Sequence, residues 1–340
     1  MNLNLKKKNV VLIICIIILD AFFCIGLFIL YGPIPHFRNF WITSAMTTMN
    51  HQYLAHWFYS DKTINEVMAN NIIIEVDEDT DPSLIDEEIE IIYKDRYEEQ
   101  ILEKDPNNDL YKLIDIKTAK YKGFLVVIYD PSKVELAMAS NFKNIGQKVS
   151  TIAKNNNAKI AINASGFSDP NWMGNGGLPT GSIIQDGKLI WESPRPQASG
   201  GVVGFTYDNQ LILTKDNIRT AKDKYNLRDA IEFGPFLIVN GKPSFIKGNG
   251  GWGTAPRTAI GQRQDGIVLF LIMDGRYLDS IGADMVDLTE IMTNYKAYNA
   301  VNLDGGSSTG LIIDNKIINR PTAASKDGLR YIPNAWIVKE

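Results

Sequence analysis

Beyond residue 56 the chain has no cysteine and no histidine. Both cysteines, Cys15 and Cys24, and all three histidines, His36, His51 and His56, lie before that point. The residues that follow therefore hold no disulfide, no thiol nucleophile, no imidazole base and no zinc site of nitrogen and sulfur ligands. A Ser-His-Asp triad is excluded among them as well. Strong basicity is also missing. Lys and Arg number 35 against 39 Asp and Glu, a formal net charge of −4, which argues against a nucleic-acid partner. Chemistry in the larger part of the chain must use carboxylates, Arg, Lys, Tyr, Asn or hydroxyls.

The residue types that are scarce later crowd the start of the chain. "KKK" at 6–8 precedes a run of 22 residues, Val10 to Tyr31, broken only by Asp20. That length crosses the hydrocarbon core of a bilayer. Asp20 costs about 3 kcal/mol at mid-bilayer, and many Val, Ile, Leu and Phe residues at about 0.3–0.6 kcal/mol each outweigh it. The lysines before the run place the N-terminus in the cytoplasm and the bulk of the chain outside. A cleaved signal peptide is the rival reading. The run is longer than a signal h-region, and no A-x-A site follows it. Residues 10–31 are thus expected to be an uncleaved, single-pass anchor in the cell membrane.

Three stretches are expected: 1–31 as cytoplasmic tip and anchor, 32–110 as an extracytoplasmic stalk, and 111–340 as a folded domain. Residues 75–109 are acidic and read as stalk and solvated helix. Asp77, Asp79, Asp81 and Glu88 imitate four EF-hand positions, but Pro82 stands where that loop needs glycine. From about Tyr111 short apolar runs alternate with Gly, Asn, Asp and Pro. The segments 124–131, 158–164, 181–191, 201–214, 235–243, 266–276 and 311–318 read as strands. "QDGK", "YDNQ", "VNGK" and "IDNK" read as hairpin turns, because Asn, Asp and Gly accept positive φ. Helical periodicity is clear around 146–156 and 285–298. The pattern predicts an α+β class: a strand-rich single domain with a mixed sheet and few helices.

Three loops share one design, a buried strand ending at a polar residue followed closely by glycine. They are "INASGFSDP" (162–170), "MDGR" (273–276) and "NLDGGSST" (302–309). "GNGGWGTAPRT" (248–258) adds a glycine-rich loop that ends in an arginine. Glycine lets backbone amides approach a ligand, and amides with Arg favour an anionic group. None has the lysine and spacing of a P-loop. Taken together, with carboxylates at strand ends, these loops predict a pocket.

These motifs, together with "GNGGLPTGSIIQDGKL", "EFGPFLIVNGK" and "APRTAIGQRQDG", resemble the phosphodiester glycosidase family. The resemblance runs over roughly residues 120–340. The family pattern usually has a third glycine where this chain has Ser307, and often glutamine where it has Tyr277. Bacterial relatives with an anchor are often labelled exopolysaccharide biosynthesis proteins.

The resemblance implies hydrolysis of a sugar-1-phosphodiester in a cell-surface or exported glycan. That reaction passes through an oxocarbenium-like state, which carboxylates stabilise without histidine. It implies Asp304 and Asp274 as the catalytic carboxylates, as base, nucleophile or cation stabiliser. Arg257 and Arg276 would hold the phosphate, and Asn163, Thr180, Gly305, Gly306 and Ser307 would complete the substrate site. No cofactor and no dedicated metal motif is expected, which leaves only an all-carboxylate ion site open. Structural alternatives stand beside each role. Asp304 also reads as a turn cap, Arg276 as a partner of Asp274, Glu232 as a surface strand acid, and Trp172 and Trp252 as core. Two other functions fit the same residues: a non-catalytic glycan- or wall-polymer-binding module, and a glycosyl-phosphate transferase.

Overall fold

The computed structural model describes residues 2–48, 51–86, 95–106, 108–168, 174–194 and 199–340. It divides into two compact units, 1–71 and 72–340.

The first unit is helical. One helix, Asn2–Tyr31, carries the apolar run, with a mean hydropathy of 3.1 over its most apolar part. Helices Pro35–Met46, Tyr53–His56 and Asp61–Ala69 follow. They enclose a small core of Ile42, Ala45, Ala55, Tyr59, Ile64 and Val67, against which Leu30 packs. The Tyr59 hydroxyl donates to the Leu30 carbonyl (2.7 Å), and the Tyr31 hydroxyl donates to the Phe58 carbonyl (3.0 Å).

The second unit is strand-rich, and its hairpins form where the turn residues predicted them. Asp186, Gly187, Asn209, Asn240, Gly241, Asp314 and Asn315 all have positive φ. The α+β class holds. The pairings among the described strands are antiparallel, however, where the sequence suggested a mixed sheet. Some neighbours are hairpins, such as Arg257–Gln262 with Val268–Met273, and others, such as Lys122–Ile128 with Val268–Met273, come from distant parts of the chain. A seven-stranded sheet holds the central strands Asn299–Asn302, Arg257–Gln262 and Val268–Met273, all fully buried. A five-stranded sheet centred on Ile160–Asn163 and Asn334–Val338 shares a core with it through Val126, Ile162, Phe270, Val301 and Trp336. Helix Met285–Asn294 covers the other face of the seven-stranded sheet through Met285, Leu288 and Met292. Asp284 and Asp287 cap it reciprocally. Helix Val149–Asn155 also lies where periodicity placed it, whereas the short helix Ile218–Tyr225 gave no such signal.

The stalk reading fails for residues 72–86 and 95–106. Strand Ile72–Ile74 pairs with Phe245–Lys247. The Glu75 carboxylate accepts from the amides of Gly200 (2.7 Å) and Phe236 (2.9 Å). Glu98, 1% exposed, forms a forked pair with Arg263 at 2.8 and 3.0 Å. Asp79 pairs with Lys224 at 2.8 Å, which dissolves the EF-hand imitation; Glu88 and the acidic run around it lie outside the described residues. Asp79 and Glu98 are neutralised by Lys224 and Arg263, more than a hundred residues away in sequence. A local charge count cannot see such partners.

Candidate functional site

Antiparallel register brings the motif loops to one end of the sheets. Arg257 pairs with Met273, so Asp274 and Arg276 emerge beside it. Ala259 pairs with Asn302, and the Leu303 amide donates to Thr258 at 2.9 Å. The Gly306 amide then reaches the Pro256 carbonyl at 2.8 Å. From the second sheet, the Ala164 carbonyl accepts the Asp304 amide at 3.2 Å. Residues 163–164, 256–257, 274–276 and 303–307 thereby meet.

Asp304 is half-buried at the end of its strand. The Gly305 amide donates to its Oδ1 at 3.0 Å, and among the described residues no ion pair fixes it. Burial pushes its carboxyl from 3.8 up to about 6. The Ser308 hydroxyl, Arg330, the Gly305 amide and Arg257 all pull the other way, and burial wins. The group is a desolvated carboxylate in a field of arginines.

Arg257 is 5% exposed. Its guanidinium donates to the carbonyls of Ala283 (3.2 Å), Gly253 (2.8 Å) and Trp252. Burial lowers its pKa to about 10. Its hydrogen bonds fold the 248–254 loop, so what it offers the site is charge. That differs from the phosphate fork expected from sequence.

Arg276 adopts φ +64°, an uncommon backbone conformation for a non-glycine residue. Its Nη1 donates to the hydroxyls of Ser307 (2.8 Å) and Thr322 (3.4 Å). It is exposed, yet the protein around its guanidinium lowers its pKa from the usual arginine value. The alternative reading, a pair with Asp274, does not form.

Asp274 is 3% exposed and belongs to Arg320. Arg320 donates its amide to Oδ1 (2.8 Å) and its Nε to Oδ2 (3.0 Å), while its Nη1 reaches Asp279 at 2.9 Å. Asp274 therefore holds the 320s segment in place, a structural role beside the catalytic one expected from sequence.

Asn163 is fully buried and held by protein on both ends of its amide. Its Nδ2 donates to the Asp304 carbonyl (2.6 Å), and its Oδ1 accepts from Thr258 Oγ1 (2.8 Å) and the Gly310 amide (3.2 Å). It orients the Asp304 backbone from beneath the loop. The glycines also differ from expectation, because both amides are used internally. Their contribution is space. A Cβ on Gly305 would meet the Pro256 carbonyl at 2.9 Å, and one on Gly306, at φ +60°, would meet Arg276 Nη2 at 3.2 Å. Thr180 is tied to the neighbouring turn, its amide donating to Gly166 (3.1 Å) and its carbonyl accepting from Ser193 (2.6 Å). Glu232 accepts the Ser182 amide at 2.7 Å, the structural role foreseen for it. Trp252 packs against the core, and Trp172 lies outside the described residues.

Two arginines escaped the sequence reading. Arg320 follows the "IDNK" hairpin, and Arg330 stacks on Phe167 at 4.5 Å while acting on Asp304. Neither sits beside a glycine at a strand end, so the pattern that exposed the other residues had no hold on them. Among the described residues no three His, Cys, Asp or Glu side chains converge to hold a metal ion.

The model of the phosphodiester glycosidase family matches residues 156–339, more than half of the chain. The SPbeta prophage-derived uncharacterized protein YomE of Bacillus subtilis (strain 168) is 30% identical over 180 residues, 51% of this chain and 27% of its own length. Bovine N-acetylglucosamine-1-phosphodiester alpha-N-acetylglucosaminidase is 22% identical over 188 residues, 55% of this chain and 30% of its own. The matches thus span less than a third of these curated relatives. Among solved structures, the zebrafish N-acetylglucosamine-1-phosphodiester alpha-N-acetylglucosaminidase catalytic domain, auto-inhibited by its pro-peptide, superposes with a TM-score of 0.56. It is 21% identical, over 70% of this chain and 86% of that one, a likeness of fold.

Proposed function

The chain belongs to the phosphodiester glycosidase family, and from that premise we propose that it hydrolyses sugar-1-phosphodiester linkages of a surface or exported glycan, anchored by residues 10–31. The carrying observation is Asp304, a carboxylate of pKa about 6 without an ion pair among the described residues, set among Arg257, Arg276 and Arg330. In this reaction the bond between the anomeric carbon and the bridging phosphate oxygen breaks. The electron pair leaves with the phosphate monoester, and water supplies the new hydroxyl. Asp304 stabilises or attacks the positive anomeric centre. The leaving group is already a stable anion, so general-acid help matters less than cationic donors around the phosphate. Arg276 is the donor best placed to touch it, because among the described residues it bonds only hydroxyls and carries no carboxylate partner.

Substrate and product analysis tests the reading. A sugar-1-phosphodiester such as an N-acetylglucosamine ester should yield free sugar and a phosphate monoester. Transfer to an added acceptor alcohol would identify a transferase, and binding without turnover a recognition module. The anchor is supported by the two tyrosine bonds that join the end of the apolar helix to the following bundle. Cleavage after Tyr31 would sever them. Protease applied to intact cells should digest residues beyond 31 from outside; a mature N-terminus after Tyr31 would refute the anchor.

A further inference from the structure

Beside the Arg276 guanidinium lies an open cavity of about 540 Å³, whose lining includes Tyr277, Thr322, Ser325, Lys326 and Asp327. Its charges do not balance. Asp327, the single carboxylate of that lining, is held by Lys148 Nζ at 2.7 and 2.9 Å and accepts from Ser325 Oγ at 2.9 Å. Arg320, stacked on Tyr277 at 4.4 Å, is neutralised by Asp274 and Asp279. Two cations of the lining remain. Arg276 donates only to hydroxyls, and Lys326 forms no ion pair among the described residues. A cavity with two uncompensated cations and hydroxyls in its lining suits a polar, negatively charged guest.

The two cations stand on different segments, at residues 276 and 326, so each can take an anion of its own. If Arg276 holds the phosphate being released, Lys326 faces whatever that phosphate is esterified to. We propose that the cavity is the aglycone subsite and selects alcohols carrying an anionic group of their own, a second phosphate or a carboxylate. This assignment rests on the hydrolytic reading above. It narrows the substrate class to anionic conjugates, such as a polymer with repeated phosphodiesters.

The test compares three esters of one sugar-1-phosphate on the full-length protein in detergent. One ester has a neutral alcohol, one an alcohol bearing a phosphate, and one an alcohol bearing a carboxylate. Affinity is measured by calorimetry with Asp304→Asn to prevent turnover. At low ionic strength the anionic esters should bind about fivefold more tightly than the neutral one, the scale of one exposed ion pair. Lys326→Gln should bring that ratio close to one, and so should high salt. Preference for the phosphate ester alone would name phosphate as the second anion, and preference for the carboxylate alone would name carboxylate. Equal affinities for all three esters, or a preference that survives Lys326→Gln, would overturn the assignment. The parent reading fails separately, as absence of sugar release from every ester by the protein with Asp304 intact.

Discussion

"MDGR" and "NLDGGSST" look like two copies of one device, an aspartate at the end of a buried strand with glycine after it. The fold treats them in opposite ways. Asp274 is met by two donors of Arg320 and ends as a structural ion. Asp304 is met by one backbone amide and a serine hydroxyl, and keeps a raised pKa. A carboxylate whose partners come from a distant segment stabilises that segment. One left short of partners in a desolvated site holds its reactivity instead. Strand-end position makes an acid available, and its partners then decide between structure and chemistry.

The sharpest way to break this comparison is to remove each charge in turn. Asp304→Asn should leave the fold intact and lower kcat/KM about a thousandfold or more, because the lost interaction acts in the transition state. Release of sugar from an N-acetylglucosamine phosphodiester measures it. Near-native turnover in the variant would return Asp304 to the role of a turn cap, which Asn also fills. The active protein should show an acid limb in kcat/KM with an apparent pKa of about 6, where Asp304 becomes ionised.

Arg257→Lys is expected to have the next largest effect, and of a mixed kind. Lysine keeps the charge near Asp304 but cannot serve the carbonyls of Trp252, Gly253 and Ala283 together. Stability should fall by roughly 3 kcal/mol through loss of bonds from a charged donor, with activity reduced in the folded fraction. Denaturant unfolding beside a kinetic assay separates the two losses. A variant as stable as the parent would show that Arg257 reserves its fork for a ligand.

The two aspartates should then diverge in stability. Asp274→Asn abandons Arg320 and should destabilise the fold by about 2 kcal/mol, less than a fully buried pair because Arg320 is partly exposed. Asp304→Asn should do the reverse near neutral pH. The folded pKa of Asp304 lies above its unfolded value, so the folded protein binds that proton more tightly. On this group's account, stability falls as pH rises from about 4 through about 6 and is then level. Removing the ionised group should restore roughly 2 kcal/mol at pH 7. Equal signs for the two variants in urea titrations would show that the carboxylates occupy similar environments after all.

Much of this architecture was legible locally, and the exceptions have a common cause. Hairpins were readable because Asp186, Asn240 and Asp314 declare their φ through chemistry that acts over four residues. The meeting of Asp304, Arg257 and Arg276 was readable because Asp304 and Arg276 stood beside glycines just after buried strands and Arg257 closed a glycine-rich loop. Partner choice was not. Nothing near Asp274 indicates Arg320, nothing near Glu98 indicates Arg263, and nothing near Asn163 says that its amide will hold the Asp304 carbonyl. Those pairings are products of register between strands far apart in sequence. For the same reason residues 72–86 and 95–106 read as stalk and fold as part of the domain.

The smallest expected effect falls on Ser307, where the family pattern usually carries glycine. Its hydroxyl accepts Arg276 Nη1 at 2.8 Å, so it steadies a guanidinium that already leans on Thr322. Ser307→Gly removes one of two neutral acceptors and leaves the charge in place. A single hydrogen bond to a charged group at a partly exposed site is worth about 1 kcal/mol net. Part of that returns if Arg276 is freed to bind phosphate more fully. The two contributions oppose each other, so kcat/KM should move by no more than about threefold. The split between parameters carries the information. If Ser307 only positions Arg276, KM rises and kcat holds, and the neutral and anionic esters shift together. If the hydroxyl competes with substrate for the guanidinium, KM falls instead. A drop in kcat of a hundredfold or more would place Ser307 beside Asp304 in the chemistry and erase the distinction between the reactive carboxylate and its supporting loop.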